Sequence, residues 1–142
     1  MKITHFTDYG FRTLIFLGVR QKMYTPMPMI ANQYNISSNH LMKVSQQLVR
    51  LGYIESKHGR SGGLRLIKDP RKVKVSQVFR ELESLEIVNC FSAYDTCIIS
   101  SSCHLKNILN HALHAFIQEL DKYTLADLID NPDELFTHLS LK

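Results

Sequence analysis

The three cysteines of this 142-residue chain, Cys90, Cys97 and Cys103, lie within 14 residues, in the stretch LEIVNCFSAYDTCIISSSCH that runs from Leu85 to His104. Thiols gathered this way serve either redox pairing or metal ligation. A secreted disulfide framework uses an even number of cysteines, and this chain has an odd one. One cysteine alone is most often a small buried hydrophobe, but three on one short stretch and none elsewhere point to a shared ligand set. Their spacing is C-x6-C-x5-C. Zinc sites in small domains bring ligands on a tight knuckle about two to four residues apart, and the chain has none. Wider spacing on an irregular loop suits a bulkier object, an iron–sulfur cluster, for which thiolates are favoured soft ligands. Three thiolates leave one position for a weaker ligand, which a diatomic such as nitric oxide or oxygen displaces more easily than a thiolate. Phe91, Ile98 and Ile99 around the cysteines would restrict water.

The charge on either side of this stretch is lopsided. Residues 1–78 carry 13 Lys and Arg against 3 Asp and Glu, a net of +10, whereas residues 79–142 carry 4 against 10, a net of −6. The front half therefore fits a polyanion, with nucleic acid the leading partner. A short helix, Met29 to Tyr34, a turn at Asn35, and a second helix, Ser38 to about Leu51 capped by Ser37, have the grammar of a helix-turn-helix. The second helix buries Leu41, Val44, Leu48 and Leu51 at intervals of three, four and three, and turns Asn39, Lys43, Gln46 and Arg50 the other way. With Ser38 and His40 at its N-terminal end, it presents groups suited to base edges and phosphates. No carboxylate occurs from Pro26 to Gly52, so nothing there repels a DNA backbone.

Two alternating stretches follow, Tyr53 to Ser56 and Leu64 to Ile67, joined by the basic, Gly-rich Lys57 to Gly63. A hairpin directly after a helix-turn-helix is a wing, with Lys57, His58, Arg60 and Arg65 directed at the backbone or minor groove. A phosphate-cradling nucleotide loop is the competing idea for Gly59, Gly62 and Gly63, but no Walker spacing follows. Arg71 to Leu85 restarts a helix, with Ser76 as its cap and Val78, Phe79 and Leu82 inward.

After the cysteines, one long helix is expected from about His104 to Leu125. Its apolar residues Leu105, Leu109, Ala112, Phe116, Leu120 and Tyr123 step by four, three, four, four and three, and Ile108, Leu113 and Ile117 widen the stripe. A second copy of the chain is the best explanation for that width, and a reader with one helix-turn-helix usually binds a palindrome as a dimer. A last short helix starts at Pro132 behind Asn131.

At the other end of the chain, Thr7 to about Arg20 forms a helix on Phe11, Leu14, Ile15, Leu17 and Val19, capped by Thr7 or Thr4. Asp8 then suits the helix dipole and can pair with Arg12 one turn on. This segment has an apolar run of signal-peptide length but carries Asp8 and Arg12 and lacks a cleavage site, so a cytoplasmic chain with no membrane contact is expected.

ISSNHLMKV, the wing GRSGGLRL, the loop opening RELESLEIVNC, the late ELDKYTLADLID and the early FTDYG together resemble the winged-helix iron–sulfur transcription regulators, within them the nitric-oxide-sensing repressors. The resemblance spans nearly the whole chain. It implies a homodimeric repressor with one cluster per subunit, held by Cys90, Cys97 and Cys103, with Asp8 as a fourth ligand from the partner subunit and Arg12 supporting that carboxylate. The branch that senses cluster supply uses a histidine three residues after the last cysteine, where this chain has Lys106. A 4Fe-4S cluster is preferred to 2Fe-2S, although the same cysteines can hold either.

The expected protein is mainly α with a small β-hairpin. Residues 1–84 form a winged helix-turn-helix domain, 85–103 a cluster-binding loop, and 104–142 a dimerisation helix and tail. It is expected to repress transcription from palindromic double-stranded promoter DNA and to release it when nitric oxide nitrosylates the cluster. The runner-up senses iron, cluster supply or redox state with the same loop. A redox enzyme or cluster carrier finds no support in a nucleotide loop or a Ser/His/Asp arrangement. A dimeric helix-turn-helix regulator with merely structural cysteines is the plainest alternative.

Overall fold

Hydroxyl caps and apolar periodicity set the helices of the head, as a computed structural model describing residues 2–139 shows. Thr4, extended at φ −64° and ψ 151°, accepts the Thr7 amide and starts α1, His5–Val19. Thr7 itself is fully buried in the helix, so the cap falls on the earlier of the two threonines. α1 buries Leu14, Phe16 and Leu17 together with Thr7, Gly10, Thr13 and Gly18.

α2 runs Met27–Tyr34, two residues earlier than its apolar pattern suggests, because Pro28 is tolerated in a first turn whose amides have no helical partner. Asn35 ends it in the left-handed conformation, φ 51°, reversing the chain in one residue. Ser37 accepts the His40 amide and starts α3, Ser38–Arg50, which buries Leu41, Val44, Ser45 and Leu48.

β1, Ile54–Lys57, and β2, Gly63–Leu66, pair antiparallel in the register Ile54 to Leu66, Glu55 to Arg65, Ser56 to Leu64 and Lys57 to Gly63. Thr25, between α1 and α2, makes an isolated bridge to Leu64, with both hydrogen bonds at 2.8 Å. The wing is thereby fastened to the segment that enters the helix-turn-helix. The shared core includes Leu14, Phe16, Ile30, Leu41, Tyr53 and Leu64.

The expected helix from Arg71 is instead a 3-10 turn at Pro70–Lys72, then α4 at Val75–Leu82. Ser76 does not cap α4. Its hydroxyl donates to the Asp121 carboxylate, and Lys74 Nζ donates to the Asp121 carbonyl at 2.8 Å. α5, His104–Leu120, stops about five residues short of the periodic pattern. The Val75 amide donates to the Tyr123 carbonyl and the Leu125 amide to the Val73 carbonyl, which folds the chain back and buries Leu125. Phe79 of α4 and Phe116 of α5 meet edge to face at 5.3 Å. α6, Pro132–His138, follows. The result is the expected mainly α architecture with a two-stranded wing and one long helix.

Candidate nucleic-acid interface and cysteine loop

All six residues that the sequence assigns to the reading face of α3, Ser38, Asn39, His40, Lys43, Gln46 and Arg50, are exposed, as the buried stripe on the opposite face requires. Lys57, His58 and Arg60 of the wing are exposed too. Arg65 is placed differently. It forms an ion pair with Glu55 across the strands and sits over the Tyr24 ring at 4.5 Å, while Tyr24 donates its hydroxyl to the same carboxylate at 2.7 Å. The Tyr24 hydroxyl, with Arg65 and after it in effect, holds the Glu55 carboxyl below its ordinary value of 4.5. Arg65 therefore braces the wing from within, and Lys57, over the other reach of Tyr24 at 5.3 Å, stands nearer the tip.

Tyr24 was not among the residues singled out in the sequence, because a lone tyrosine in a loop carries no periodic signal. Nor were Met42 and Val49, which lie between the polar positions of α3 and remain exposed. Their signal was available: two apolar residues that fall off the buried stripe.

Asp8 and Arg12 form the expected pair one turn apart on α1, with Arg12 Nε 3.0 Å from Asp8 Oδ2. The Asp8 side chain is 40% exposed. Arg12 also lies over the Tyr34 ring of α2 at 5.6 Å. Beside Asp8, the Tyr9 ring stands 6.4 Å from His40 at the start of α3. The carboxylate is thus mounted on a helix in direct contact with the reading helix.

The cysteine loop joins α4 to α5 with only two 3-10 turns, Asn89–Phe91 and Ser100–Ser102. Cys90, Cys97 and Cys103 are free thiols, Cys97 exposed and the other two half-buried. Cys90 and Cys97 wall one open pocket of about 490 Å³ with Val88 and Thr96, and Cys103 precedes the first turn of α5. Among the described residues no three Cys, His, Asp or Glu side chains are drawn together closely enough to hold a metal ion. The donor set nonetheless fits an iron–sulfur cluster: three unpaired soft thiols on a stretch with no α-helix or strand, only two short 3-10 turns.

Ile98, at 99% exposure, and Ile99 do not cover the cysteines as expected. The middle of the loop, residues 93–99, is exposed throughout, whereas Cys90, Phe91 and Cys103 are half-buried. The loop is moored through Asp95. That carboxylate accepts the Cys97 amide at 3.0 Å, the Ser100 hydroxyl, and Lys106 Nζ from α5 at 3.1 Å, and Lys106 also reaches Ser100 Oγ at 2.6 Å. The Ser100 hydroxyl, the Cys97 amide and Lys106 hold the Asp95 carboxyl down to about 2. The position that departs from the histidine-bearing branch is therefore occupied by a lysine that ties the loop to α5. Between them lies a cleft of about 720 Å³ lined by residues including Arg80, Cys90, Asp95, Lys106 and His114.

Along α5 only Ile117 is fully buried, and Leu105 and Ile108 are exposed. No described helix is long and apolar enough to cross a membrane.

Comparison with known proteins gives the same architecture. The chain superposes on IscR of T. potens with a TM-score of 0.73 at 23% identity, covering 95% of this chain and 90% of that one. On the cysteine regulator CymR of B. subtilis the TM-score is 0.71 at 23% identity, covering 92% and 97%. An HTH-type transcriptional regulator NsrR of Bacillus subtilis is 46% identical over 145 residues, covering 100% of this chain and 99% of that protein. One from Halalkalibacterium halodurans is 43% identical over 145 residues, with the same coverage. Residues 3–131 match the family Rrf2, described as iron-dependent transcriptional regulator. The chain belongs to the Rrf2 family of iron-dependent transcriptional regulators, and it is a winged-helix regulator rather than an enzyme.

Proposed function

We propose that the chain is a nitric-oxide-responsive repressor that binds palindromic promoter DNA as a homodimer and releases it when an iron–sulfur cluster, held by Cys90, Cys97 and Cys103, is nitrosylated. The observation that carries this reading is the confinement of all three thiols to the one stretch joining the DNA-binding head to α5. Relatives named NsrR support the choice of signal. In this division of labour residues 1–84 read DNA, 85–103 hold the cluster and 104–142 join two subunits; Met1 and residues 140–142 lie outside the described residues.

Exposed Leu105 and Ile108 on α5, with Ile98 and Ile99 beside them in sequence on the loop, offer apolar surface for the second copy. A reader with one recognition helix needs that copy to span two half-sites, about 34 to 36 Å apart. Within the dimer, Asp8 of the partner subunit is the fourth ligand, and Arg12 orients it. When bound, the cluster supplies irons open to nitric oxide, in the 4Fe-4S form in preference to 2Fe-2S. α1 carries the consequence: Asp8 is fixed to Arg12, and Tyr9 next to it abuts His40 at the head of α3. Losing the hold on Asp8 frees α1 and, through it, the reading helix. Because both half-sites must be met in register, a small displacement forfeits a specificity of about 4 to 10 kcal/mol.

The test is anaerobic purification, visible absorption, and iron and sulfide assay, followed by titration of nitric oxide against binding to a palindromic promoter fragment. A brown protein that bleaches and releases DNA in step supports the reading. It is refuted if DNA binding stays indifferent to nitric oxide after cluster reconstitution. Asp8→Ala is expected to weaken both cluster retention and the response; if it changes neither, Asp8 is a helix-end charge only. The family description as iron-dependent favours a second reading, in which iron or cluster supply, or redox state, is the signal. Titrating the loaded protein with chelator or oxidant in place of nitric oxide separates the two.

A further inference from the structure

α3 and the wing enclose a groove of about 490 Å³ whose lining is mostly apolar, in the middle of the basic reading face. Met42 and Val49 form one wall, Met27 and Leu64 contribute from α2 and β2, and Lys57 and His58 stand at the wing side. Asn39, Met42, Gln46 and Val49 follow one another along α3 at three, four and three residues, so the two apolar side chains share a single stripe with two polar readers. Met42 is 43% exposed and Val49 37% exposed. Ser45, only 4% exposed, also lines the groove, and its hydroxyl has no hydrogen-bond partner among the described residues.

We infer that this groove reads thymine, with Met42 and Val49 packing on the thymine 5-methyl group. The inference rests on the DNA-binding reading above and goes beyond it by naming the base. The rim is cationic, and no carboxylate occurs from Pro26 to Gly52, so the occupant is a polyanion. On the major-groove edges of duplex DNA the one methyl group is that of thymine, next to its O4 acceptor. An apolar wall lined by a spare hydroxyl donor matches that pair of features. Methionine, unbranched and with three rotatable bonds, can settle against the methyl and uncover the Ser45 hydroxyl as it does so. Met42 and Val49 are two turns apart, about 10 Å. That length spans about three base steps, so one or two methyl-sensitive positions are expected within each half-site.

Removing the methyl alone is possible by replacing thymine with deoxyuridine, which leaves pairing and O4 intact. Duplexes are first selected from a random pool with the full-length protein, prepared anaerobically. Each thymine of the selected site is then replaced in turn, and affinity is read by fluorescence anisotropy. Burial of one methyl is worth about fourfold in affinity per half-site, and replacement in both half-sites about fifteenfold. Met42→Ala, a change at an exposed position that should leave the fold intact, is expected to weaken binding to the thymine duplex by a similar factor and to bind thymine and deoxyuridine duplexes equally. Val49→Ala should do the same at a different position of the site. If no replacement matters, or if both variants remain as sensitive to the methyl as the unaltered protein, the inference is overturned while the DNA-binding reading stands. If no duplex is enriched at all, both fall.

Discussion

Replacing Gly63 with alanine tests how the wing is mounted. Gly63 opens β2 at φ 144°, and a Cβ placed there would lie 2.3 Å from the Thr25 carbonyl oxygen, 2.4 Å from its carbon and 2.8 Å from Pro26 N. All three are backbone atoms and cannot swing aside. An L-residue held at such a φ costs about 1 to 3 kcal/mol. Relief of the clash requires Thr25 and Leu64 to part, which opens their two hydrogen bonds at a net cost of about 0.5 to 1.5 kcal/mol each. The sum, about 2 to 6 kcal/mol, is a large share of the 5 to 15 kcal/mol typical of whole domains. Urea unfolding followed by circular dichroism measures the loss, and hydrogen exchange at the Thr25 and Leu64 amides locates it. Gly52→Ala is the control, since Gly52 has φ 73° and, its chain neighbours aside, no atom of the described residues lies within 4 Å of the added carbon, leaving backbone strain alone. A Gly63→Ala protein no less stable than Gly52→Ala, with unchanged exchange at Thr25 and Leu64, would refute the reasoning.

Three more outcomes are expected. Tyr53→Phe removes the hydrogen bond from a fully buried ring to Glu81 and should lower the unfolding free energy by about 1 to 2 kcal/mol; an unchanged urea midpoint counts against that bond. Lys106→Met leaves Asp95 and Ser100 without their tie to α5, so alkylation of Cys90, half-buried in the same cleft, should quicken about two- to fivefold in reduced, metal-free protein, a modest factor because the pair is partly exposed. Equal rates would mean that the loop is held by something else. The Glu55 carboxyl lies below its ordinary 4.5 in the folded chain, so its contribution is complete above that value and is lost as pH falls through the folded value. Acid should therefore loosen the wing, and Glu55→Gln should flatten the acid limb of a stability profile; a limb of unaltered steepness would assign it to other carboxylates.

The reading half of the molecule was legible because it obeys local rules. Leu41, Val44 and Leu48 at helical spacing, Ser37 as cap and Asn35 as turn specify α3 and its approach without help from distant residues. The wing strands were found within one residue of their observed bounds for the same reason. What escaped depends on contacts far apart in sequence. Ser76 has the look of a cap, but Asp121, 45 residues away, claims its hydroxyl. The stripe of α5 continues past Leu120 in the sequence, yet the backbone leaves the helix to pair Lys74 with Thr124. At the cysteine loop the three thiols could be picked out from residue types alone, whereas their placement depends on how Asp95, Ser100 and Lys106 tie the loop to α5. The role of Arg65 as a brace was hidden because Glu55 and Tyr24 had first to be brought beside it.

The edge-to-face rings of Phe79 and Phe116, with Asp121 gripped by Ser76 and Lys74, clamp α4 to α5 beyond the cysteine loop. The entropy of bringing the two ends of that loop together is therefore already spent by ordinary packing, before any ligand arrives. A closed loop is forgiving of length, each doubling costing only about 0.6 kcal/mol. The spacing between Cys90, Cys97 and Cys103 is thus free to vary without disturbing the packing of α4 on α5, and the two ends of the loop stay where the fold has pinned them.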